Sequence, residues 1–414
     1  MSFKSDFLNE SKERGFIHQC TDLDGLDAAL SGGALTAYTG FDPTGPSLHV
    51  GHLMPIMWLR LLQKCGHNPI VLMGGATSLI GDPTGKDTQR PLLTVETVNQ
   101  NIKSLGKVFS RYIDFGDSKA TVVNNNDWLS KLNYIEFLRD FGTHFSVNRM
   151  LTLDSVRTRL EREQPLNLLE FNYMIMQAFD FMHLNQTSNC LLQMAGSDQW
   201  GNIINGVELT RRIHGKTVYG LTAPLLTTSS GAKMGKTEGG AVWLNSDMLS
   251  PYDFWQYWRN TNDADVGRFL RIFTELPISE IQKLEVLKDA ELNEAKKILA
   301  DEATILAHGF DHLAAIHEQT KQLFEAARGD ISSLTAEVIA LADLPIGIDE
   351  LFVRFGLTAS KGEAKRLIQG GAVRVNDCAI NDVKAVLGAS DFNEIGRVKI
   401  SSGKKKHLVL EMVV

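Results

Sequence analysis

Residues 35–52 read LTAYTGFDPTGPSLHVGH, and they contain a strand, a turn and the start of a helix. The apolar run Leu35–Phe41 predicts the strand, and the apolar spacing over Leu48–Cys65 predicts the helix. The same alternation continues downstream in two further strands and a helix, at Pro69–Gly74, Ala120–Val123 and Thr94–Tyr112. Strands that alternate with helices indicate an α/β fold with a doubly wound parallel sheet.

The turns that follow these strands are the expected place for a functional site. Ligands of open parallel sheets bind at the carboxyl ends of the strands. We therefore expect Tyr38–Thr44, Gly74–Lys86 and Asn124–Asp127 to share one crevice.

Composition places the chain among ordinary globular proteins. Of 414 residues, 43% are hydrophobic and 22% are charged, which excludes a disordered or fibrous chain. Lys and Arg total 42 against 49 Asp and Glu, so any nucleic-acid contact must be a local patch. Four scattered cysteines fit neither a zinc site nor a disulfide framework and favour a reducing, cytoplasmic compartment. Neither a signal peptide nor a membrane span is expected.

Changes of pattern along the chain predict three domains. Residues 1–232 would form a Rossmann-like α/β domain that binds nucleotide, and 233–330 would form a loop and a helical domain. Residues 331–348 mix Gly, Ser and Pro and would form a linker. Residues 349–414 hold 11 basic and 8 acidic side chains, so a small basic α+β module would follow an acidic body.

His49, Gly51 and His52 form an HxGH motif in the first strand–helix turn. The two histidines would share one face of the turn, while Gly51 leaves room for a flat ring near the backbone. Helix N-termini bind phosphate well, so the motif predicts a nucleotide site. A zinc pair or two helix-capping histidines remain the alternatives, although no further ligands lie nearby at metal spacing.

A second motif, KMGKT at Lys233–Thr237, lies between Gly231 and Gly239. Two lysines in a glycine-flanked loop can close over a polyphosphate and neutralise the charge that develops during phosphoryl chemistry. Taken alone, such a pentamer is more often a solvated surface loop. Together with the HxGH motif, it favours phosphate binding.

Tyr173, Gln177 and Asp180 fall at positions i, i+4 and i+7 of the predicted helix Leu169–Leu184. At about 100° per residue these side chains lie within an arc of ~60°, so they share a face. Three polar groups on one face of an apolar helix indicate the wall of a pocket. A solvent-facing stripe is equally compatible with the spacing.

The motifs together resemble those of the class I aminoacyl-tRNA synthetases, usually written HIGH and KMSKS, here His49–His52 and Lys233–Thr237. Wider stretches are similar to the bacterial tyrosyl-tRNA synthetases, namely Tyr38–Thr44, Gly74–Lys86, His144–Asn148, Gly196–Asn202 and Lys236–Val242. The similarity runs through most of residues 38–271 and resumes in the tail. It implies an enzyme that activates tyrosine with ATP and transfers it to the 3′ end of tRNA(Tyr).

The resemblance implies a role for each residue of a tyrosine pocket. A buried carboxylate that accepts from the phenol hydroxyl would be left unpaired by phenylalanine. The side chains implied are Tyr38 and Asp180 at the phenol hydroxyl, Asp82, Tyr173 and Gln177 at the α-ammonium group, Asn125 near the ring and Gln199 near the carboxylate.

The resemblance also implies an ATP site without a general base or covalent nucleophile, because the substrate carboxylate attacks the α-phosphorus directly. Magnesium would travel on the ATP phosphates, and the protein would hold no metal of its own. The side chains implied for catalysis are His49, His52, Lys86, Arg90, Lys233, Lys236 and Thr237. Those implied for contact with ATP are Thr39, Gly40, Asp42, Thr44, His49, Gly51, His52, Gly196, Asp198, Lys233 and Lys236.

Three positions depart from the common pattern of the family. Gly235 stands where many class I enzymes have Ser, which removes a hydroxyl and adds flexibility. Ser78 replaces a common glycine, and Thr39 stands where some relatives have Cys. We expect these changes to alter affinity rather than the reaction.

The resemblance further implies a homodimer whose interface lies in a segment inserted into the nucleotide fold at about 125–164. The apolar residues in this segment that support an interface are Trp128, Phe137, Leu138, Phe141 and Phe145.

The tail is similar to S4-type RNA-binding modules. It contains a short predicted helix at Ser360–Ile368, a turn at Gly370–Gly371 and a strand that carries Arg374. Positive charge on one surface suits an RNA backbone, although a solvated basic face is the alternative. The predicted RNA contacts are Lys361, Lys365, Arg366 and Arg374.

Three other functions fit part of this pattern. A tryptophan-specific relative shares the nucleotide motifs, but Tyr38 with Asp180 argues against it. A small-metabolite nucleotidyltransferase would not need the helical and S4-like domains. A non-catalytic RNA-binding paralogue should have lost nucleotide contacts, whereas the histidines and lysines of both motifs are present.

Overall fold

The computed structural model describes residues 2–84, 92–116, 120–229, 231, 234–237, 240–327, 336–393, 395–403 and 406–413. The chain forms two compact units, Met1–His312 and Leu313–Val414. No helix in the described ranges is both long enough and apolar enough to cross a bilayer.

A sheet forms the centre of the first unit. Its strands are β1 (Gln19–Cys20), β2 (Thr36–Phe41), β3 (Asn68–Met73), β4 (Thr121–Asn124), β5 (Cys190–Gly196) and β6 (Tyr219–Ala223), in the order β1-β6-β5-β2-β3-β4. Strands β6, β5, β2, β3 and β4 run parallel, which confirms the strands and the doubly wound sheet predicted from the sequence.

The edge strand β1 pairs antiparallel with β6, so the sheet is mixed rather than wholly parallel. Only Gln19 and Cys20 take part, opposite Thr222 and Leu221. Two residues are too few to produce a detectable alternation, which is why the sequence pattern does not reveal this strand.

The first unit also contains helices that precede, connect and follow these strands along the chain. They are α1 (Asp6–Arg14), α2 (Leu23–Ser31), α3 (Leu53–Lys64), α4 (Val95–Tyr112), α5 (Asn126–Leu129), α6 (Tyr134–Asp140), α7 (Val147–Leu151), α8 (Asp154–Glu161), α9 (Leu168–Ser188), α10 (Trp200–His214), α11 (Pro251–Arg259), α12 (Val266–Phe273), α13 (Ile278–Glu285) and α14 (Leu292–His308). A short hairpin, β7 (Lys236–Thr237) and β8 (Gly240–Ala241), lies between α10 and α11.

Helix α3 follows the HxGH motif and is apolar and buried over most of its length. Trp58 stacks with Phe7 and Phe16, and its indole Nε1 donates to Ser11 Oγ at 2.9 Å. Pro55 is tolerated because it lies in the first helical turn, where backbone N–H groups have no intrahelical partner. This packing fixes the position of the histidine turn at the N-terminal end of α3.

Ion pairs hold the helical segment after residue 250 against α3. Arg60 donates from Nε and Nη2 to the two carboxylate oxygens of Glu275, at 2.6 and 2.7 Å. Partial burial raises the pKa of Glu275, but the hydrogen bonds from Arg60 and Lys64 outweigh this effect and lower the pKa to about 2. Helices up to α14 therefore belong to the first unit, although the sequence predicts a separate domain at 233–330.

The second unit begins earlier than the basic tail. Its elements are α15 (Leu313–Ala327), β9 (Glu337–Ala340), β10 (Ile346–Gly347), α16 (Ile348–Arg354), α17 (Lys361–Gln369), β11 (Val373–Val375), β12 (Cys378–Ala379), β13 (Val386–Leu387), β14 (Arg397–Ser402) and β15 (Lys406–Val413). Residues 337–348, which the sequence places in a linker, are part of this unit, because β9 pairs in parallel with β15 and Ile339 lies in the core.

Candidate active site

Most of the predicted site residues gather at the carboxyl ends of the central strands. Asp42 follows β2, Thr77 lies in the turn after β3, Asn125 follows β4 and Gly196 ends β5. Hydrogen bonds join several of these turns to one another, so the crevice predicted from the strand order is confirmed.

Asp180 is the buried centre of the predicted phenol site. Its side chain is on α9 and only 1% exposed. One carboxylate oxygen accepts from Asn125 Nδ2 at 3.0 Å, and the other accepts from Trp128 Nε1 at 2.7 Å. Burial raises the pKa of Asp180 to about 7, although both hydrogen bonds act to lower it. Each oxygen retains a further acceptor position.

Tyr38, on β2, is fully buried beside this carboxylate. Burial raises the pKa of Tyr38 well above its ordinary value, and the charge of Asp180 adds to the effect, so the hydroxyl stays protonated. That hydroxyl has no hydrogen-bond partner among the residues that the structure describes. Buried hydroxyls usually have a partner, and this one therefore indicates a position for a polar group of a ligand.

Asp42 links the two ends of the pocket. Its carboxylate accepts from Thr77 Oγ1 and from the Tyr173 hydroxyl, each at 2.8 Å. Thr77 Oγ1 in turn accepts from Asn125 Nδ2 at 3.0 Å, so a continuous network connects Asp42 to Asp180. Burial raises the pKa of Tyr173 well above its ordinary value, which keeps this hydroxyl a donor.

A cluster of amide and carboxylate groups lies on the other side of the pocket. Gln199 Nε2 donates to Asp82 Oδ2 at 2.8 Å, and the backbone N–H of Thr84 donates to Asp82 Oδ1 at 2.9 Å. Asn202 Nδ2 donates to the side-chain oxygens of Gln177 and Gln199, at 3.0 and 2.9 Å. This cluster offers both donors and acceptors to the ammonium and carboxylate groups of an amino acid.

The two histidines of the HxGH motif cap their own turn through Nδ1. His52 Nδ1 accepts from the backbone N–H of His49 at 3.2 Å, and His49 Nδ1 accepts from that of Gly51 at 3.1 Å. Burial and the neighbouring His49 lower the pKa of His52 to about 3, so it is neutral at neutral pH. With Nδ1 as the acceptor, Nε2 carries the hydrogen. The capping alternative is thus correct at Nδ1 of both histidines, and Nε2 of His52 is an N–H donor.

The KMGKT motif lies against this histidine turn at Gly235, and the segment after the motif pairs with the turn through backbone atoms. The N–H of Val50 donates to Val242 O at 2.9 Å, and the N–H of Leu244 donates to Leu48 O at 2.9 Å. Gly235 has φ +104°, and a Cβ there would lie 2.5 Å from His49 Nδ1. Glycine is therefore required by the contact and is not simply a source of flexibility.

The remaining predicted contacts divide between described and undescribed residues. Lys86, Arg90 and Lys233 lie outside the described residues, as do the side chains of Lys236 and Thr237. The others lie along the strand ends: Thr39 is buried and Gly40 exposed on β2, the N–H of Thr44 donates to Asp42 O at 2.8 Å, and Asp198 lies in the single turn Ser197–Gln199.

Sequence reasoning misses three residues of the site, namely Thr77, Trp128 and Asn202. The sequence treats Trp128 as an apolar interface residue, although it lies one helical turn after Asn125. Thr77 and Asn202 lie inside stretches that are similar to the family, and nothing in their spacing distinguishes them from neighbours.

In the second unit, acidic side chains neutralise part of the predicted RNA surface. Lys361 Nζ lies 2.8 Å from Glu350 Oε2, and Lys365 Nζ lies 3.5 Å from Asp349 Oδ2. Arg366 on α17 and Arg374 on β11 are exposed.

A mixed α/β sheet that presents an HxGH turn with a KMGKT loop docked on it defines the chain as a class I aminoacyl-tRNA synthetase. Residues 30–325 match the family model "tRNA synthetases class I (W and Y)", and residues 327–410 match the "Tyrosine--tRNA ligase SYY-like C-terminal domain". The chain belongs to the tyrosine–tRNA ligase family and is therefore an ATP-dependent aminoacyl-tRNA ligase.

Relatives along the whole chain agree with this placement. The tyrosine–tRNA ligase of Caulobacter sp. (strain K31) is 56% identical over 100% of this chain and 99% of its own. That of Rhodospirillum rubrum is 56% identical over 99% of each. These matches set aside the tryptophan-specific, nucleotidyltransferase and non-catalytic alternatives.

Solved structures show the same fold. The C-terminally truncated mitochondrial tyrosyl-tRNA synthetase of Aspergillus nidulans superposes with a TM-score of 0.69 at 34% identity, covering 77% of this chain and 94% of that chain. The tyrosyl-tRNA synthetase of Archaeoglobus fulgidus, complexed with L-tyrosine, has a TM-score of 0.52 at 18% identity and covers 79% of this chain and 100% of its own. The second likeness concerns the fold alone.

Replacing Gly235 with Ala should displace the KMGKT loop from the histidine turn. A residue with a Cβ pays ~1–2 kcal/mol in a left-handed conformation, and the contact with His49 adds to that. We expect kcat for tyrosine-dependent pyrophosphate exchange into ATP to fall about tenfold or more, with the KM for tyrosine unchanged.

Gly231→Ala is the matched control for this change. Gly231 also has a positive φ, +81°, but a Cβ there meets nothing within 4 Å. Equal losses in the two variants would show that backbone strain alone, and not the contact with His49, explains the effect.

Proposed function

We propose that Asp180 and Tyr38 select tyrosine by its phenol hydroxyl, and that the chain then joins tyrosine to AMP and transfers it to tRNA(Tyr). The observation that carries the proposal is a buried carboxylate with one donor on each oxygen, beside a buried hydroxyl without a partner in the described residues. A phenol hydroxyl can donate to Asp180 and accept from Tyr38 at once. Phenylalanine would leave the Tyr38 hydroxyl unpaired and Asp180 without a third donor, and an unpaired buried group costs ~1–3 kcal/mol.

The amino-acid end of tyrosine would lie on the opposite side of the pocket. Asp82 and Tyr173 would accept from its α-ammonium group, together with Gln177, and the free Nε2 hydrogen of Gln199 would donate to its carboxylate. The hydrogen bonds that already hold Asp82 and Tyr173 support this assignment, because they fix the side chains before the substrate arrives.

The tyrosine carboxylate attacks the α-phosphorus of ATP in line, which forms the adenylate and releases pyrophosphate. Since no proton has to leave the carboxylate, positioning and charge stabilisation supply the rate. The Nε2–H groups of His49 and His52 would donate to phosphate oxygens. Lys86, Arg90, Lys233, Lys236 and Thr237 are proposed to neutralise the charge that develops on the pyrophosphate.

ATP would bring magnesium, held mainly by its own phosphate oxygens. That the protein holds no metal of its own stays a prediction, as does its cytoplasmic location. In the second half-reaction a ribose hydroxyl at the 3′ end of tRNA(Tyr) attacks the tyrosyl carbonyl, and AMP leaves.

Asp180→Asn tests the phenol site. The change keeps the shape and removes the charge, so we expect kcat/KM for tyrosine in pyrophosphate exchange to fall about 100-fold, with the KM for ATP unchanged. Below pH ~7 the wild-type carboxylate binds a proton and becomes a weaker acceptor, so the KM for tyrosine should rise about tenfold from pH 8 to 6 and stay level above pH 8. The variant should show no such pH dependence.

Asp301→Asn is the matched control, because Asp301 also accepts from a tryptophan Nε1, that of Trp255, at 2.6 Å. It lies on α14, away from the pocket, and should leave the KM for tyrosine unchanged. Equal loss of tyrosine and ATP affinity in Asp180→Asn, or exchange supported equally by phenylalanine, would contradict the assignment.

We also propose a homodimer formed through residues 125–164. The apolar residues named from the sequence serve mainly the chain's own packing, since Trp128, Phe137, Phe141 and Phe145 pack against the cluster around Phe179. The exposed apolar residues of the segment are different ones, led by Tyr134 and Ile135 (each 68% exposed) and Val147 (58%), and only Leu138 belongs to both groups. Clustered exposed apolar side chains mark protein interfaces.

Light scattering should report twice 45.9 kDa at micromolar protein. The double substitution Ile135→Glu and Val147→Glu should shift the measured mass toward that of the monomer. Val286→Glu, at a site that is 71% exposed and lies outside the segment, should leave the mass unchanged. A stable wild-type monomer would contradict the dimer.

The second unit is proposed to bind the tRNA backbone, chiefly through Arg366 and Arg374. Lys361 and Lys365 would contribute less, because their pairing with Glu350 and Asp349 has to be given up first. We expect Glu at both Arg366 and Arg374 to lower kcat/KM for tRNA aminoacylation at least ~10-fold and to reduce its salt dependence, with pyrophosphate exchange unchanged. Lys384→Glu makes the same charge reversal at one exposed position of the same unit, and it should have little effect compared with Arg366→Glu or Arg374→Glu alone. Unchanged aminoacylation in the double variant would contradict this role.

A further inference from the structure

Asn202 lies in the first turn of α10, is 4% exposed and contacts two of the proposed tyrosine ligands. Its Nδ2 group donates one hydrogen to Gln177 Oε1 at 3.0 Å and one to Gln199 Oε1 at 2.9 Å. We propose that Asn202 is a positioning residue that decides which atom of each glutamine amide faces the substrate. This inference rests on the proposed function of Gln177 and Gln199.

The argument starts from the chemistry of the primary amide, which has an oxygen that accepts and a nitrogen that donates at nearly the same place. A glutamine at the end of a long side chain can turn its amide over and exchange the two. Both hydrogens of Asn202 Nδ2 are used on carbonyl oxygens, so both glutamines are held with Oε1 toward Asn202.

The consequence for Gln199 is direct. With Oε1 on Asn202, its Nε2 is directed away and donates to Asp82 Oδ2 at 2.8 Å. Asp82 is thereby fixed as an acceptor for the α-ammonium group, with its other oxygen held by the N–H of Thr84. The second Nε2 hydrogen of Gln199 is left for the tyrosine carboxylate.

Gln177 is held from the neighbouring helix. It lies on α9, in register with Tyr173 and Asp180, and its Oε1 accepts from Asn202 on α10. That oxygen keeps a second lone pair for the α-ammonium group. One donor group on α10 therefore orients two of the side chains, Gln177 and Gln199, that are proposed to bind the amino-acid end of tyrosine.

Asn202→Asp tests the proposal, because it preserves shape and replaces the donor with an acceptor. Both glutamines must then turn their Nε2 groups toward position 202, and Gln199 presents an oxygen to Asp82. We expect the KM for tyrosine to rise about tenfold or more and the KM for ATP to change less than about twofold. The inhibition constant of 4-ethylphenol, which carries the phenol but neither charged group, should be unchanged.

Asn205→Asp is the matched control. Asn205 is on the same helix and also buried, and its Nδ2 has no partner among the described residues, so the same chemical change is made without touching a glutamine. This variant should keep the wild-type KM for tyrosine. Titration of active sites by the burst of adenylate corrects both variants for misfolded protein.

Two results would overturn the positioning role. One is a loss in Asn202→Asp that affects tyrosine, ATP and 4-ethylphenol equally, since that pattern reports damage to α9 and α10 packing. The other is an unchanged KM for tyrosine in a fully titratable variant. Failure of the proposed phenol site is a separate outcome. In that case Asp180→Asn would leave the KM for tyrosine unchanged, whatever the KM measured for Asn202→Asp.

Discussion

The site depends on the desolvation of one carboxylate. Asp180 is held ionisable in the interior by one amide and one indole donor, and its raised pKa shows that these two bonds do not fully replace water. A third hydrogen-bond donor would stabilise this partly desolvated carboxylate, and the phenol hydroxyl of tyrosine would supply one. In the proposed mechanism, specificity would therefore arise from an incomplete set of hydrogen bonds that the fold maintains, because β2, β4, α5 and α9 all meet at this point.

The same carboxylate is the end of a chain of polar contacts that reaches the nucleotide side of the crevice. Asn125 and Thr77 connect Asp180 to Asp42, and Asp42 accepts from Tyr173. In a medium of low dielectric constant each bond polarises the next, so the two ends of the pocket are rigid with respect to one another. This rigidity suits a reaction whose rate depends on placing a carboxylate in line with a phosphorus atom.

The sequence predicts strands where apolar runs are long, and it predicts site residues where polar side chains recur at the spacing of a helix. The strands β2 and β3 and the helical face of Tyr173, Gln177 and Asp180 are examples of these two cases. Strands β1 and β9 could not be predicted from the sequence. They have only two and four residues, and each pairs with a strand that is far away along the chain. Trp128 was misread for a related reason. Whether an indole packs in a core or donates to a carboxylate depends on where α5 meets α9, and no local spacing reports that.

The backbone pairing between the histidine turn and the segment after the KMGKT motif limits how the chain can vary. Its hydrogen bonds join backbone atoms, from Val50 to Val242 and from Leu244 to Leu48, so they place few demands on side chains. One residue inserted between Val242 and Leu244 would instead shift the pairing by one position and reverse the faces of the strand. Residues 242–244 can therefore vary in side chain but not in number, whereas Gly235 is fixed in identity by its contact with His49.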